Sequence, residues 1–252
     1  MAWRMLMRRC PSRSMTIAGD IAQSSNPAGA LSWEQILTPH LGNRWRLDRL
    51  TINYRTPAEI MAVAADVLAK IDADFDVPMS VRETGTTPWR QEVKADELAY
   101  QVAAASVLEA AEAGGGNVAV LVPPALAGEV TEAVTAALRT GPNGHRTSGA
   151  DPGNTGPDGA GPDGAEPDGA DPGDAANVDG PDLDKQVVVL TVSQAKGLEF
   201  DSVLIADPAQ ILGESPRGLS DLYVAMTRAT QRLGVVHPGP VPEVLERLAP
   251  RP

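Results

Sequence analysis

The sequence predicts an α/β protein in which helices cover both faces of a parallel sheet. Short runs of apolar and β-branched residues alternate along the chain with longer stretches whose apolar residues recur at helical spacing. The short runs read as buried strands, among them VAVLV and VVVLT. With 252 residues, of which 42% are apolar, the chain is long enough to bury a substantial core.

Five elements are predicted before residue 72. The predicted helices cover residues 1–10, 32–37 and 57–71, and the predicted strands cover residues 15–18 and 46–52. Ser32 and Thr56 are the expected N-caps of the second and third helices, because each begins a capping-box pattern that Gln35 or Glu59 completes. Pro57 suits the first turn of the third helix, where no N–H is needed. The first helix is expected to pack its apolar residues against a core.

The remainder of the chain continues the alternation. A small strand pair is predicted at residues 79–83 and 89–93, with Gly85 in the turn. The predictions that follow are helices at residues 95–113, 127–139 and 219–229, strands at residues 117–122, 186–191, 203–206 and 233–236, and an amphipathic turn at residues 241–248.

One segment has a different composition. Residues 141–185 repeat Gly-Pro-Asp-Gly-Ala and its variants, and they hold ten acids and two bases, which is −8 of the chain's net charge of −12. This segment has too few large apolar residues to offset the conformational entropy that the chain loses on folding. We therefore expect a disordered acidic insertion. The alternative is a calcium-binding repeat, which the irregular spacing, the prolines and the lack of strand-forming residues disfavour.

Composition also limits the cellular setting. Cys10 is the only cysteine, so no intrachain disulfide can form, and a reduced cytoplasm is the expected location. Arginines interrupt the apolar residues near the N-terminus, so neither a signal peptide nor a membrane span is predicted. No residue pattern predicts a metal site.

Two segments carry the functional prediction. Residues 187–201 read VVVLTVSQAKGLEFD, a strand that ends in a polar loop with Lys196, Gly197 and Glu199. Residues 221–229 read DLYVAMTRA, in which apolar residues at helical spacing hold Arg228 at a defined point of a packed helix. Side by side, the two elements would form a lip suited to an anion, because arginine bonds phosphate oxygens through two donors at once.

These segments resemble motifs V and VI of the superfamily 1 helicases of the UvrD/Rep type. TIAGDIAQ (residues 16–23) and LTINYRTPAEI (residues 50–60) resemble motifs III and IV, so four motifs occur in the family's order. The residues of these motifs are most similar to those of the helicase-IV/HelD branch, whose bacterial members are motor ATPases that bind and recycle RNA polymerase.

The resemblance implies a domain organisation. Residues 46–140 and 186–252 would form the second RecA-like motor domain of a P-loop NTPase, interrupted by the insertion at residues 141–185. Residues 1–45 would be the C-terminal remnant of the first RecA-like domain.

The resemblance also implies roles for nine residues. Arg55 and Arg228 would stabilise the γ-phosphate of ATP, and Gln23 would sense that phosphate beside a loop fixed by Asp20. Tyr54 would stack on adenine, Glu199 would contact the ribose, and the backbone at Gly197 would approach phosphate closely. Thr191 and Lys196 would touch a nucleic-acid backbone. The ordinary alternatives are solvated helix-end arginines, a core anchor for Tyr54 and a solvated loop charge for Lys196.

The sequence departs from the family pattern in three ways. Ser-Ser-Asn-Pro follows GDIAQ where DNA-translocating relatives have aromatic residues, and Gln194 stands near the usual histidine of motif V. No GxxxxGK[ST] loop occurs, and no Asp-Glu pair ends an apolar strand before motif III. We therefore expect ATP and Mg²⁺ to bind only with a missing N-terminal motor half, supplied by another chain or an upstream reading frame. Without that half, the chain would be inactive.

RNA polymerase, DNA or both are the expected macromolecular partners. Two other hypotheses stay open at this point. The chain could be a non-enzymatic module that binds RNA polymerase or nucleic acid, or a gene fragment without an independent function.

Overall fold

The computed structural model describes residues 2–10, 12, 14–23, 32–72, 76–140 and 182–252. The α-helices of these residues are α1 (Ala2–Arg9), α2 (Trp33–Leu41), α3 (Ala58–Ile71), α4 (Leu98–Glu112), α5 (Ala127–Thr140), α6 (Pro208–Gly213) and α7 (Gly218–Met226). The strands are β1 (Ile52–Asn53), β2 (Met79–Ser80), β3 (Trp89–Val93), β4 (Val118–Val122), β5 (Val187–Thr191), β6 (Phe200–Ala206), β7 (Ala229–Pro238) and β8 (Ala249–Pro250).

The central sheet has six strands in the order β5-β4-β6-β7-β3-β8, and every pairing in it is parallel. In β4, Val120 lies opposite Val189 of β5 and Leu204 of β6. All five residues of β4 are buried, as its unbroken apolar run predicts. The predicted parallel α/β architecture is confirmed.

Helices cover both faces of the sheet. On one face, α3, α6 and α7 pack over a core that includes Ile60, Leu121, Ile205, Ile211 and Leu222. On the other face, α4 and α5 pack over a core that includes Val102, Val120, Val130, Leu204 and Val236. Neighbouring residues of a strand point to opposite faces, so Leu204 and Ile205 enter different cores.

A buried carboxylate connects α4 to three strands. Glu109 is 2% exposed, and it accepts hydrogen bonds from Trp89 Nε1 (3.1 Å), Ser202 Oγ (2.8 Å) and Arg232 Nε (2.7 Å). The hydrogen bond to Glu109 raises the pKa of Arg232. Both carboxylate oxygens have partners, which is the condition under which a buried charge is tolerated.

β1 and β2 form a separate two-stranded parallel sheet in which Ile52 lies opposite Met79. Apolar side chains at alternate positions along this pair are exposed. They belong to Leu50, Ile52, Tyr54, Val77, Met79 and Val81, and we call them the apolar strand face. Ile52 and Met79 lie opposite each other in this pair, so their side chains project from the same side of it.

The predictions of two strands near the N-terminus are wrong. Residues 15–18 form no strand, and of residues 46–52 only Ile52 belongs to one. No strand of the described chain pairs with residues 15–18 or 46–50, so the backbone groups of these residues have no ladder to join. Most of their side chains are exposed instead.

The predicted pairing of residues 79–83 with residues 89–93 is also wrong, because β2 pairs with β1 and β3 pairs with β7 and β8. The connection between them is held against α3. The Glu59 carboxylate accepts hydrogen bonds from the N–H groups of Thr84 (3.0 Å) and Gly85 (2.6 Å). Burial raises the pKa of Glu59, but hydrogen bonds from its own N–H, Gly85 and Thr84 together lower it below its ordinary value. The segment therefore passes along the helix and does not close a hairpin.

The prediction that Thr56 is the N-cap of α3 is wrong. Glu59 is engaged elsewhere, and the N-cap is Pro57, which has no side-chain hydrogen bond. The side chain of Asn53 instead accepts hydrogen bonds from the N–H groups of Arg55 (2.9 Å) and Thr56 (3.1 Å). Asn53 thus fixes the turn between β1 and α3.

Other predictions near the N-terminus have mixed outcomes. The Ser32 cap is confirmed, since its hydroxyl accepts from the N–H of Gln35 (3.2 Å), but α2 continues past Pro39 to Leu41. Helix α1 is confirmed, but Met5 and Leu6 are 59% and 50% exposed, so their predicted packing against a core is wrong.

The remaining helices match their predicted positions within a few residues. The predicted disordered insertion falls at residues 141–181 outside the described residues, and residues 182–185 lead into β5. No described helix is long and apolar enough to cross a membrane.

Candidate functional site

Segments distant in sequence meet where β6 and β7 begin. The N–H of Phe200, the first residue of β6, donates to the carbonyl oxygen of Arg228, which immediately precedes β7 (3.0 Å). The loop after β5 brings Leu198 and Glu199 to this point, and Gln23 reaches it from the N-terminal segment. The parallel pairing of β6 with β7 therefore assembles the predicted anion-binding lip.

Arg228 is the buried centre of this arrangement, with 3% of its surface exposed. Its Nε donates to the carbonyl oxygen of Val224 (3.2 Å), Nη1 donates to that of Leu198 (3.1 Å), and Nη2 donates to Oε1 of Gln23 (3.2 Å). The prediction that Arg228 lies in a helix is wrong. Helix α7 ends at Met226, and the carbonyl of Tyr223 accepts from the N–H of Thr227, so Arg228 occupies the turn into β7.

Gln23 is itself held in place. Its Nε2 donates to Oδ2 of Asp20 (2.9 Å), and Oδ1 of the same carboxylate accepts from the N–H of Ala22 (2.9 Å). Ala22 is buried in the core beneath α3 and α7. Asp20 therefore fixes the loop, as expected, and aims the Gln23 amide oxygen at Arg228.

Arg55 lies in the connection between β1 and α3, as predicted. Its Nη2 is 2.8 Å from Oε1 of Glu199, and the two side chains are 51% and 43% exposed. This ion pair joins two residues for which the family resemblance implies contacts with the same nucleotide. Both charges face solvent, so they can exchange partners at low cost.

Arg55 and Arg228 lie close enough for the charge of Arg55 to affect the pKa of Arg228. Burial lowers the pKa of Arg228, and the positive charge of Arg55 lowers it further, whereas Glu199, Tyr223 and Asp20 act in the opposite direction. The guanidinium remains charged, because arginine does not lose its proton under ordinary conditions. The carboxylates of Glu199 and Asp20 offset the two positive charges.

Tyr223 belongs to the site although the sequence did not single it out. It is 5% exposed, and burial raises the pKa of its phenol to about 12, with Asp20 adding to the rise and Arg228 opposing it. Its position in DLYVAMTRA, one helical turn before Thr227, is the signal that could have identified it.

Two other predicted nucleotide contacts lie at the edge of the site. Tyr54, next to Arg55, is 69% exposed, so the predicted alternative of a core anchor is wrong. Gly197 has a φ of 81°, and no other atom lies within 4 Å of the position a Cβ would take. Glycine adopts this left-handed conformation without strain, which permits the tight turn before Glu199.

The two predicted nucleic-acid contacts are not joined to this site. Thr191 lies in register with Val122, at the opposite end of the strands from Phe200, and its hydroxyl bonds the side chains of Ser193 and Gln194. Lys196 lies 3.9 Å from Oδ1 of Asp221, so it is ion-paired and not a free solvated charge. Among the described residues, no group of three His, Cys, Asp or Glu side chains could hold a metal ion.

Comparison with known proteins gives a family match and likenesses to solved structures. Residues 186–236 match the family described as the UvrD-like helicase C-terminal domain. The chain is similar to the solved C-terminal domain of a possible DNA helicase from Lactobacillus plantarum WCFS1, at 17% identity and a TM-score of 0.47, over 78% of this chain and 94% of that one. No curated protein matches the chain.

The matched segment includes the loop with Gly197 and Glu199, helix α7 and Arg228. Residues 186–236 are therefore similar to the C-terminal domain of a UvrD-like helicase.

Proposed function

We propose that this chain supplies the C-terminal half of the ATP site of a UvrD-like helicase motor. The observation that carries the proposal is the convergence of Arg228, Gln23, Arg55 and Glu199 at the start of β6 and β7. Two guanidinium groups near one another suit a triphosphate, whose charge in the transition state spreads over the γ-phosphoryl oxygens. The family match over residues 186–236 supports the assignment.

Arg228 acts as the inner arginine. Two of its donors are fixed on backbone carbonyl oxygens, which hold the guanidinium in one orientation, and its third contacts Gln23. When ATP binds, a γ-phosphate oxygen takes the place of the Gln23 amide oxygen, because a charged acceptor forms the stronger bond. Gln23 then turns towards the phosphate and transmits its presence to the Asp20 loop.

Arg55 acts as the outer arginine. Its exposed ion pair with Glu199 opens at little cost, so that Arg55 reaches the phosphates and Glu199 accepts a hydrogen bond from the ribose. The exposed ring of Tyr54 stacks on adenine, and the backbone at Gly197 approaches the phosphates.

The remainder of the ATP site comes from another segment. The sequence has no GxxxxGK[ST] loop, so the phosphate-binding amides, the lysine and the acid that holds Mg²⁺ lie elsewhere, on the same polypeptide or on a second one. The apolar strand face includes Tyr54 and is exposed, and this supports its use as the contact with that P-loop half.

A finer proposal concerns the branch of the family. The motif wording and the absence of aromatic residues after GDIAQ favour a HelD-like motor that acts on RNA polymerase, with Thr191 and Lys196 towards nucleic acid. Co-purification of RNA polymerase with the tagged chain, at physiological salt and after nuclease treatment, tests this proposal. Failure to co-purify contradicts the HelD assignment and leaves the nucleotide site unaffected.

ATP turnover tests the central proposal. We expect no Mg²⁺-dependent hydrolysis by the purified chain alone, and hydrolysis when a P-loop domain of a UvrD-like helicase is added or fused. Brisk turnover by the chain alone would contradict the division into halves. If no P-loop domain restores turnover, yet the folded chain binds RNA polymerase or nucleic acid, a non-enzymatic module becomes the better description.

A further inference from the structure

The pairing of β6 with β7 contains a β-bulge close to the proposed ATP site. Phe200 lies opposite Ala229, and the next pair in register is Ser202 with Arg232. Between these two pairs, β6 has one residue and β7 has two, so β7 carries the bulge. A bulge bends its strand and redirects the neighbouring side chains, and bulges are frequent beside active sites. This bulge lies just after Arg228, which immediately precedes β7.

The side chain of Asp201 holds the bulge from the side of β6. Its Oδ1 accepts a hydrogen bond from Nε2 of Gln231 (2.6 Å), an exposed residue of the bulge. Its Oδ2 accepts from the N–H of Asn117 (2.9 Å), which immediately precedes β4. A Cβ on Gly116 would lie 2.6 Å from Oδ2, so glycine at this position leaves room for the carboxylate. One carboxylate therefore joins the starts of three neighbouring strands.

Gln231 also connects the bulge to the segment that carries Arg55. Its carbonyl oxygen accepts a hydrogen bond from the Thr84 hydroxyl (3.3 Å), and the N–H of Thr84 donates to Glu59 in the first turn of α3 (3.0 Å). Arg55 lies just before α3, and its ion pair with Glu199 leads back to the start of β6 (2.8 Å). These contacts form a ring that runs from the bulge to α3 and returns to β6.

The contacts of Arg228 depend on the same alignment of β6 with β7. The N–H of Phe200 donates to the carbonyl oxygen of Arg228 (3.0 Å), and the Thr230 hydroxyl donates to the carbonyl oxygen of Phe200 (3.1 Å). The guanidinium of Arg228 donates to the carbonyl oxygen of Leu198, just before β6. A displacement of the start of β7 along β6 would weaken all three hydrogen bonds, so the bulge fixes where Arg228 lies.

We infer that Asp201 and Gln231 are positioning residues for the proposed ATP site. By fastening the bulge they set the place of Arg228 against β6 and, through Thr84, the place of the segment that carries Arg55. Their effect passes through the backbone. The consequence for catalysis rests on the proposed function, whereas the placement of Arg228 can be measured in the chain alone.

Amide hydrogen exchange of the whole chain, followed by NMR, tests the placement of Arg228. We expect Gln231→Ala to speed exchange of the Phe200 N–H by about tenfold or more, because the start of β7 opens more often without the bond to Asp201. Gln231→Lys keeps a donor for the Asp201 carboxylate, so it should change this exchange less than about twofold. Gly116→Ala displaces that carboxylate and should act like Gln231→Ala.

The matched control is Gln91→Ala. Gln91 also lies in a strand and bonds two side chains, those of Gln101 and Arg251, but its strand β3 is not part of the bulge. Because distant sites act independently, this variant should change exchange of the Phe200 N–H less than about twofold. Circular dichroism confirms that each variant is folded before its exchange is compared.

Steady-state kinetics of the motor reconstituted with a P-loop domain test the catalytic consequence. Gln231→Ala should lower kcat for ATP about tenfold and change KM less than about twofold, because a displaced arginine loses contacts that form in the transition state. The Gln231→Lys and Gln91→Ala variants should keep the kcat of the unmodified chain.

Unchanged exchange of the Phe200 N–H in Gln231→Ala, or an equal increase in Gln91→Ala, overturns the inference. Faster exchange with an unchanged kcat overturns it as well. Faster exchange in a chain that no P-loop domain activates supports the placement of Arg228 by the bulge and contradicts the proposed function instead.

Discussion

Arg228 and Arg55 carry like charges in one site, but burial gives them different structural roles. Arg228 donates to two backbone carbonyl oxygens in the interior. Its loss would leave that of Leu198 without a donor, at about 1 to 3 kcal/mol, whereas that of Val224 would keep its hydrogen bond from the Thr227 hydroxyl. The pair of Arg55 with Glu199 is exposed and contributes no more than about 1 kcal/mol. Arg228→Ala therefore lowers folding stability as well as turnover, and Arg55→Ala gives the cleaner test of catalysis.

We predict that Arg55→Ala lowers ATP turnover of the reconstituted motor by about 10³-fold or more, the range typical of an arginine finger. Its urea midpoint should stay close to that of the unmodified chain. The matched control is Arg49→Ala, which also removes an exposed arginine from an ion pair, here with Asp76. Equal turnover of the two variants would show that Arg55 is an ordinary surface charge.

The residue-scale contacts were only partly predictable. Gln23 and Arg228 are separated by 205 positions, and no local pattern reports their contact, so only the family resemblance connected them. The Glu109 network was missed for a related reason. Glu109 lies in an alanine-rich helix where a glutamate normally faces water, and its three partners come from three different strands.

At the scale of elements, local sequence predicted the buried strands best. β4 and β5 are continuous apolar runs, and such runs have few structures available other than a strand covered on both faces. β7 begins at Ala229, whereas the sequence predicts a strand only from Leu233, because the polar residues Thr230, Gln231 and Arg232 come before it. Pairing with β6 extends the strand through them. The strands that failed near the N-terminus are those for which the fold supplies no neighbour.

The junction of α6 and α7 positions the turn that carries Arg228. A Cβ on Gly218, the first residue of α7, would lie 2.1 Å from the carbonyl oxygen of Leu212 in α6. The Leu212 carbonyl belongs to the backbone of α6 and a Cβ would be fixed to the backbone of α7, so neither can move without shifting a helix. We predict that Gly218→Ala lowers the free energy of unfolding by about 1 to 3 kcal/mol, as overpacking of a tight contact does.

Urea denaturation measures this loss, and Gly128→Ala in α5 is the matched control. A Cβ at residue 128 would meet nothing within 4 Å, so alanine should raise stability by about 0.5 to 1 kcal/mol through its better helix propensity. A Gly218→Ala variant as stable as the Gly128→Ala variant would mean that the two helices do not approach as closely as described.

At the scale of the whole molecule, the structural core lies almost wholly after residue 45. All six strands of the central sheet and both hydrophobic cores are formed by later residues, except for Ala22. We predict that a chain lacking residues 1–45 remains folded, as judged by its far-ultraviolet circular dichroism. It should unfold cooperatively in urea, with a modest loss in the free energy of unfolding. Non-cooperative unfolding would contradict the predicted boundary at residue 45.

The place of β5 in the sheet has a practical consequence. β5 lies at the outer edge, beside β4 alone, and the connection from α5 enters the sheet there. A connection of another length at this point need displace no other strand. A fluorescent reporter could therefore be fused between α5 and β5 while Arg228, Gln23 and Arg55 keep their positions.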